Sequence, residues 1–110
     1  MTYVDILKDK TDKIFSVKIN DHSGYDDAGK DIVCAAISAL SQTILHAMTD
    51  LLKANIDFYE DSEQTELFIS KNEQTKECEK LDLLFDTLYL GLKSIECEYG
   101  DYLKINERRC

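Results

Sequence analysis

Apolar residues recur along this chain with two different periods, and the change of period marks the elements. In "TYVDILK", Val4 and Ile6 alternate with polar positions, while Tyr3 and Leu7 place apolar groups on the opposite face. In "KIFSVKIN", Phe15, Val17 and Ile19 alternate with Ser16 and Lys18. Both segments have the period of two that strands require, and "DKTDK" between them reads as a hairpin turn. From Asp31 to about Lys53 the spacing lengthens to three and four, through Val33, Ile37, Leu40, Ile44, Met48 and Leu51, which predicts a helix. Its first half, "IVCAAISAL", is apolar on nearly every side and predicts a buried helix start.

Period two returns in "NIDFYED", with Ile56 and Phe58, and in "TELFIS" after the polar turn around "DSEQ". This is a second hairpin. A second helix is predicted from about Asn72 to Tyr99 on the stripe Leu81, Leu84, Phe85, Leu88, Leu92 and Ile95. Ser70 and Glu73 have capping-box spacing for its start, and Gly100 is placed to end it. "DYLKINE" supplies a last short strand.

The order β-β-α-β-β-α-β, with hairpins joining most strands, predicts an α+β fold: a mostly antiparallel sheet packed against two helices as a two-layer sandwich. Nothing in the chain marks a boundary, so residues 1–110 read as one domain. A sheet covered on one face leaves the other partly apolar, with Tyr3, Leu7 and Phe68 as candidates to lie there. That predicts a homodimer.

Charge narrows the partners. With 22 acidic residues against 13 basic ones and a net charge of -9, the chain is unsuited to sequence-independent nucleic-acid binding, which needs cations to displace counterions. An acidic surface suits a basic partner instead. No run approaches the roughly 18 apolar residues that would span a bilayer, and "MTYVDILKDKTDK" lacks the basic start and apolar stretch of a signal peptide. The expectation is a cytoplasmic protein that does not contact membrane. The four cysteines, Cys34, Cys78, Cys97 and Cys110, have neither CxxC spacing nor a disulfide-framework pattern, so reduced thiols are expected, with no metal and no cofactor.

One stretch concentrates candidate chemistry: "INDHSGYDDAGKDIVCAAISAL". Asp31 is a suitable N-cap whose carboxylate can accept the backbone N–H of Cys34. Cys34 then lies in the first helical turn, where unpaired N–H groups and the positive end of the helix dipole favour thiolate, and where the same N–H groups could hold an oxyanion. His22 opens the preceding loop directly after a strand end, and Gly24 and Gly29 give that loop freedom to fold back, so imidazole and thiol can meet as an ion pair. Ser38 follows Cys34 by one turn on the same face, close enough to assist. Each residue also has an ordinary explanation. A helical cysteine can be a small packed hydrophobe, a loop histidine a solvated one, an aspartate only a cap, and a serine only a small residue at a helix contact. On the residues alone, a functional thiol and a packed one both remain open.

The run from His22 through "GKDIVCAAISAL" resembles the signature of the bacterial ribosomal-processing cysteine proteases, the Prp family. In that signature a histidine is followed, after eleven intervening residues, by the cysteine of G-x-D-[IV]-V-C-A-x-x-S. Gly29, Asp31, Val33, Cys34, Ala35 and Ser38 fall in register, and length, element order and the acidic end of the second helix are similar along the whole chain. The resemblance implies a Cys/His endopeptidase that removes a short N-terminal extension from large-subunit ribosomal protein number twenty-seven, as a homodimer with a mobile loop. His22 would be the general base, Cys34 the nucleophile, and Asp31 and Ser38 supporting residues. The chain departs from the family at Asp21, where a glycine usually precedes the histidine. Aspartate tolerates a left-handed backbone and would place a carboxylate beside the imidazole. Two other readings carry weight: a non-enzymatic acidic interaction protein of ribosome assembly in which Cys34 is merely packed, and a thiol redox sensor, for which Cys78, Cys97 and Cys110 are remote in sequence. His46, mid-helix without a motif partner, reads as structural.

Overall fold

The computed structural model describes residues 1–20, 31–61 and 66–109. Strands β1 (Thr2–Lys8), β2 (Ile14–Asn20), β3 (Asp57–Asp61), β4 (Glu66–Ser70) and β5 (Leu103–Arg109) form one sheet in the order β3-β4-β2-β1-β5. Every pairing is antiparallel except β1 with β5. Helices α1 (Ile32–His46) and α2 (Glu79–Tyr99) pack on one face. The α+β sandwich expected from the periodicities is the observed fold, with β5 as the single parallel addition.

The alternation in β1 sets the layer. Thr2, Val4 and Ile6 are buried under the helices, and their partners Ile19, Val17 and Ile105 continue the face across the sheet. The register shifts by one residue between Leu7 and Lys8, which puts Ile14 rather than Phe15 in the core position. The hairpin turn is held by the Asp9 carboxylate. It accepts from the Thr11 N–H at 2.8 Å, the Thr11 hydroxyl at 2.6 Å and the Lys13 N–H at 3.1 Å. Those bonds, the hydroxyl's foremost, hold the carboxyl below its usual range. Asp12 takes a left-handed backbone at φ 69°.

The two sheet edges differ. At β5, Glu96 of α2 accepts the outward backbone N–H of Ile105 at 2.9 Å, which blocks strand addition there. At β3 the helix layer stops short. Phe58 and Glu60 are paired with Ile69 and Leu67, so they point to the helix side, yet Phe58 is 50% exposed and Glu60 is exposed too. Gly91 lets α2 approach α1, since a Cβ there would lie 2.5 Å from Leu40 Cδ2.

Several expectations are corrected. The start of α1 is not buried: Val33 and Ile37 face the core, but Ile32 is 52% exposed and Ala35, Ala36 and Ala39 are exposed. The stripe predicted to end at Leu51 breaks there, because residues Ala47–Leu51 form a π-helical turn. The wider turn keeps Met48 buried and rotates Leu51 into solvent. Helix α1 with this turn, Ile32–Leu51, has a mean hydropathy of 1.5 over its most apolar window and the length to cross a membrane, contrary to the expectation that no segment qualifies. Here it packs against α2 and the sheet. Helix α2 begins at Glu79, not near Asn72. Residues 73–77 are turn, the N-cap Cys78 makes no side-chain cap bond, and the Ser70 hydroxyl donates to Lys71 O instead of capping. Gly100 ends α2 as expected, though with a right-handed backbone.

Candidate active site

Asp31 sits in extended conformation at the start of α1, and its Oδ1 accepts the Cys34 N–H at 2.9 Å. Asp31 O accepts the Ala35 N–H at 3.0 Å, the first bond of the helix. The cap predicted from sequence is present and fixes the backbone of Cys34. Together the side chain and carbonyl of Asp31 occupy the Cys34 and Ala35 amides, so neither is free to hold an oxyanion. Ile32 and Val33 carry the first-turn N–H groups left without a partner among the described residues.

Cys34 is a free thiol, half-buried, in the wall of a cavity of about 300 Å³. One side of that cavity is the α1 stripe Cys34, Ile37, Ser38, Ser41 and Gln42. The other is the sheet, through Thr2, Ile19 and Leu67, with the acidic ends of β3 and β4 at Glu60, Asp61 and Glu66. Ser38, one turn after Cys34, is thus brought to the same cavity. The Ser41 hydroxyl is spent on Ile37 O at 2.6 Å. Sequence reasoning named Asp31, Cys34 and Ser38 and missed the rest. The i+7 and i+8 spacing of Ser41 and Gln42 from Cys34 was a readable signal. Glu60 gave none, because its place on the cavity depends on which strand becomes the sheet edge.

His22 and Asp21, with Gly24 and Gly29, lie outside the described residues, as do Cys110 and most of the turn between β3 and β4. Of the other cysteines, Cys78 caps α2 and Cys97 is exposed on that helix. His46 is exposed at the end of α1.

The helix dipole led to an expectation of a lowered thiol pKa. The surroundings act the other way: burial first, and then the negative charge of Asp31, push the Cys34 thiol up. A thiolate here needs a cation brought against it. Asparagine caps as well as aspartate but carries no charge, so Asp31→Asn should lower the Cys34 pKa and speed its alkylation by iodoacetamide at neutral pH. An alkylation-against-pH curve identical to wild type would show that Asp31 acts on the thiol only as a cap.

Known proteins share this sequence pattern and fold. The profile of the family "Cysteine protease Prp" matches residues 1–104. The ribosomal processing cysteine protease Prp of Staphylococcus aureus strain Mu50 is 26% identical over 106 residues, covering 96% of this chain and 98% of that protein. A crystal structure of the S. aureus protease with a covalently linked product peptide superposes with a TM-score of 0.90 at 26% identity, covering 98% of this chain and all of that one. A Streptococcus mutans structure matches with a TM-score of 0.87 at 25% identity, over 100% of this chain and 96% of that one. With the family profile spanning nearly the whole sequence and the same fold beneath it, this chain belongs to the Prp family of cysteine proteases.

Proposed function

We propose that this protein is a cytoplasmic endopeptidase that removes the N-terminal extension of large-subunit ribosomal protein number twenty-seven, with Cys34 as nucleophile and His22 as its base. The observation that carries the reading is the position of Cys34. Cys34 stands in the wall of a cavity of about 300 Å³ lined by both α1 and the sheet, on a backbone fixed by the Asp31 cap. Support for the substrate class comes from the S. aureus relative, named a ribosomal processing protease and crystallised with a substrate peptide.

In the proposed cycle the Cys34 thiolate attacks the scissile carbonyl, forming the C–S bond, and first-turn N–H groups hold the oxyanion. His22, as imidazolium, gives its proton to the departing amine, leaving an acyl-enzyme. Water then gives a proton to His22 and adds to the acyl carbon, expelling the thiolate. Asp31 holds the nucleophile's backbone, and Ser38 presents a hydroxyl one turn away. A peptide spanning the extension and the first residues of the mature protein should be cut at one bond by wild type, with the products identified by mass spectrometry, and left intact by Cys34→Ala. Equal cleavage by both proteins would end the proposal.

The protein is further proposed to act as a homodimer through the sheet face away from the helices. Tyr3 is 44% and Tyr59 46% exposed there. Tyr59 stacks on Phe68 with ring centroids 5.5 Å apart, and Leu7 lies half-buried on the same side. This is apolar and aromatic surface of the kind interfaces cover. Sedimentation equilibrium should give twice the chain mass. A monomer at every concentration up to the millimolar range would remove the dimer from the proposal.

A further inference from the structure

The cavity beside Cys34 holds a carboxylate, Glu60, that no described residue neutralises. Glu60 lies on β3 opposite Leu67, on the helix side of the sheet, and both residues line the cavity. Among the described residues it makes no ion pair or hydrogen bond. The contrast with its neighbour is sharp, since Glu66 is paired with Lys18 Nζ at 2.8 Å and accepts the Tyr59 hydroxyl at 3.0 Å. Those partners hold the Glu66 carboxyl below its usual range, the lysine foremost. Glu60 has no such counter-charge among the described residues.

The rest of the wall indicates what could supply one. Ile19, Ile37 and Leu67 give the cavity an apolar lining with Glu60 at its rim. That arrangement suits a side chain with an aliphatic stem and a cationic head, because the stem can lie on the apolar wall while the head stays at the wetter, acidic edge. Lysine and arginine have this form. The helix layer stops short of β3, so an extended peptide can pass between α1 and the edge strand with such a side chain turned toward Glu60.

We infer that Glu60 is a specificity-determining residue that selects a lysine or arginine near the scissile bond of the peptide substrate. The inference rests on the reading of this cavity as the peptide site, and it is tested separately from catalysis by measuring binding to protein that cannot cut. Fluorescein-labelled decapeptides of otherwise neutral sequence, with one lysine or its uncharged analogue norleucine scanned along the chain, are titrated into full-length Cys34→Ala protein and followed by anisotropy.

At one position or two neighbouring ones, lysine should tighten binding about fivefold over norleucine, as a partly exposed ion pair does. The preference should shrink as salt rises from 50 to 500 mM. Glu60→Gln should remove it, and Glu60→Lys should reverse it in favour of glutamate at the same position. A lysine preference that survives in Glu60→Gln, or no preference at any position, overturns the inference. Loss of the Cys34 mechanism would show instead as equal cleavage by wild type and Cys34→Ala, a result that leaves these binding ratios unaffected.

Discussion

Replacing Cys34 by serine should lower kcat/KM for the extension peptide by at least about 10⁴-fold, while peptide binding and folding stay near wild type. The size of the effect follows from the surroundings of the thiol. Burial and Asp31 already push the sulfur toward its neutral form, so the site cannot rely on a free thiolate at neutral pH. It needs a cation delivered to the sulfur, which is the part proposed for His22. A thiol so partnered can ionise near neutrality. A hydroxyl, several pKa units weaker as an acid, cannot do so with the same partner, and the cap geometry that serves sulfur offers serine no added help.

Stability should change little, because Cys34 is only half-buried and the substitution leaves the Asp31 cap in place. The same logic fixes the sign of a second measurement. If His22 is the cation proposed for it, His22→Ala removes that charge and keeps Asp31, so the midpoint of the Cys34 alkylation-against-pH curve should move upward from wild type. An unchanged midpoint would mean that another group ionises Cys34.

The parts of this molecule that were readable in its sequence are those decided by neighbours a few residues apart. Alternation at Val4 and Ile6 gave strand and face together, because period two leaves one side of a strand to the core. The Asp31 cap was readable because an N-cap contacts a backbone three residues on. Leu51 was misplaced because the periodic stripe assumed an unbroken α-helix, and one π turn changes the side on which the next residue emerges. The start of α2 was misplaced for a different reason. Ser70 has the right spacing for a capping box, but it is the last residue of β4, and pairing with β2 took precedence over a local hydrogen bond.

The active site divides along the same line. The motif from Gly29 to Ser38 carried the family resemblance in ten consecutive positions, and the helix beneath it needs no tertiary information to align Cys34 with Ser38. The opposite wall comes from β1, β2, β3 and β4, and Glu60 lies more than twenty residues from Cys34 in sequence. Only the order of strands in the sheet brings it to the thiol. The electrostatics were hardest to read. The helix dipole is visible in sequence and argues for a lowered thiol pKa, whereas the burial that pushes the Cys34 thiol up depends on the whole fold.

The least expected feature of the sequence is Lys71, and its pair should dominate stability. Lys71 follows β4 in a polar stretch with no periodic signal, yet it is only 1% exposed. Its ammonium group binds Asp82 in the first turn of α2 and reaches Lys76 O at 3.4 Å, and its backbone N–H donates to Phe15 O at 2.9 Å. The second oxygen of Asp82 is buried without a hydrogen bond, with Lys13 Nζ 3.3 Å away. The cluster therefore ties the end of β4 and the start of β2 to the start of α2, whose own N-cap contributes no side-chain bond. Asp82→Asn keeps the shape but leaves a buried ammonium facing a neutral amide, and should cost about 3–5 kcal/mol in urea unfolding with an unchanged m-value. Removing both charges, as Lys71→Met with Asp82→Leu, should recover most of that loss, because two apolar side chains can fill the same volume without the desolvation that the ions incur. The comparison separates two roles. Recovery in the double variant means that the pair is costly to break but not needed for folding. A double variant as unstable as Asp82→Asn would mean that the ion pair, and the bond to Lys76 O that it orients, hold the entry into α2 in a way that packing alone cannot replace.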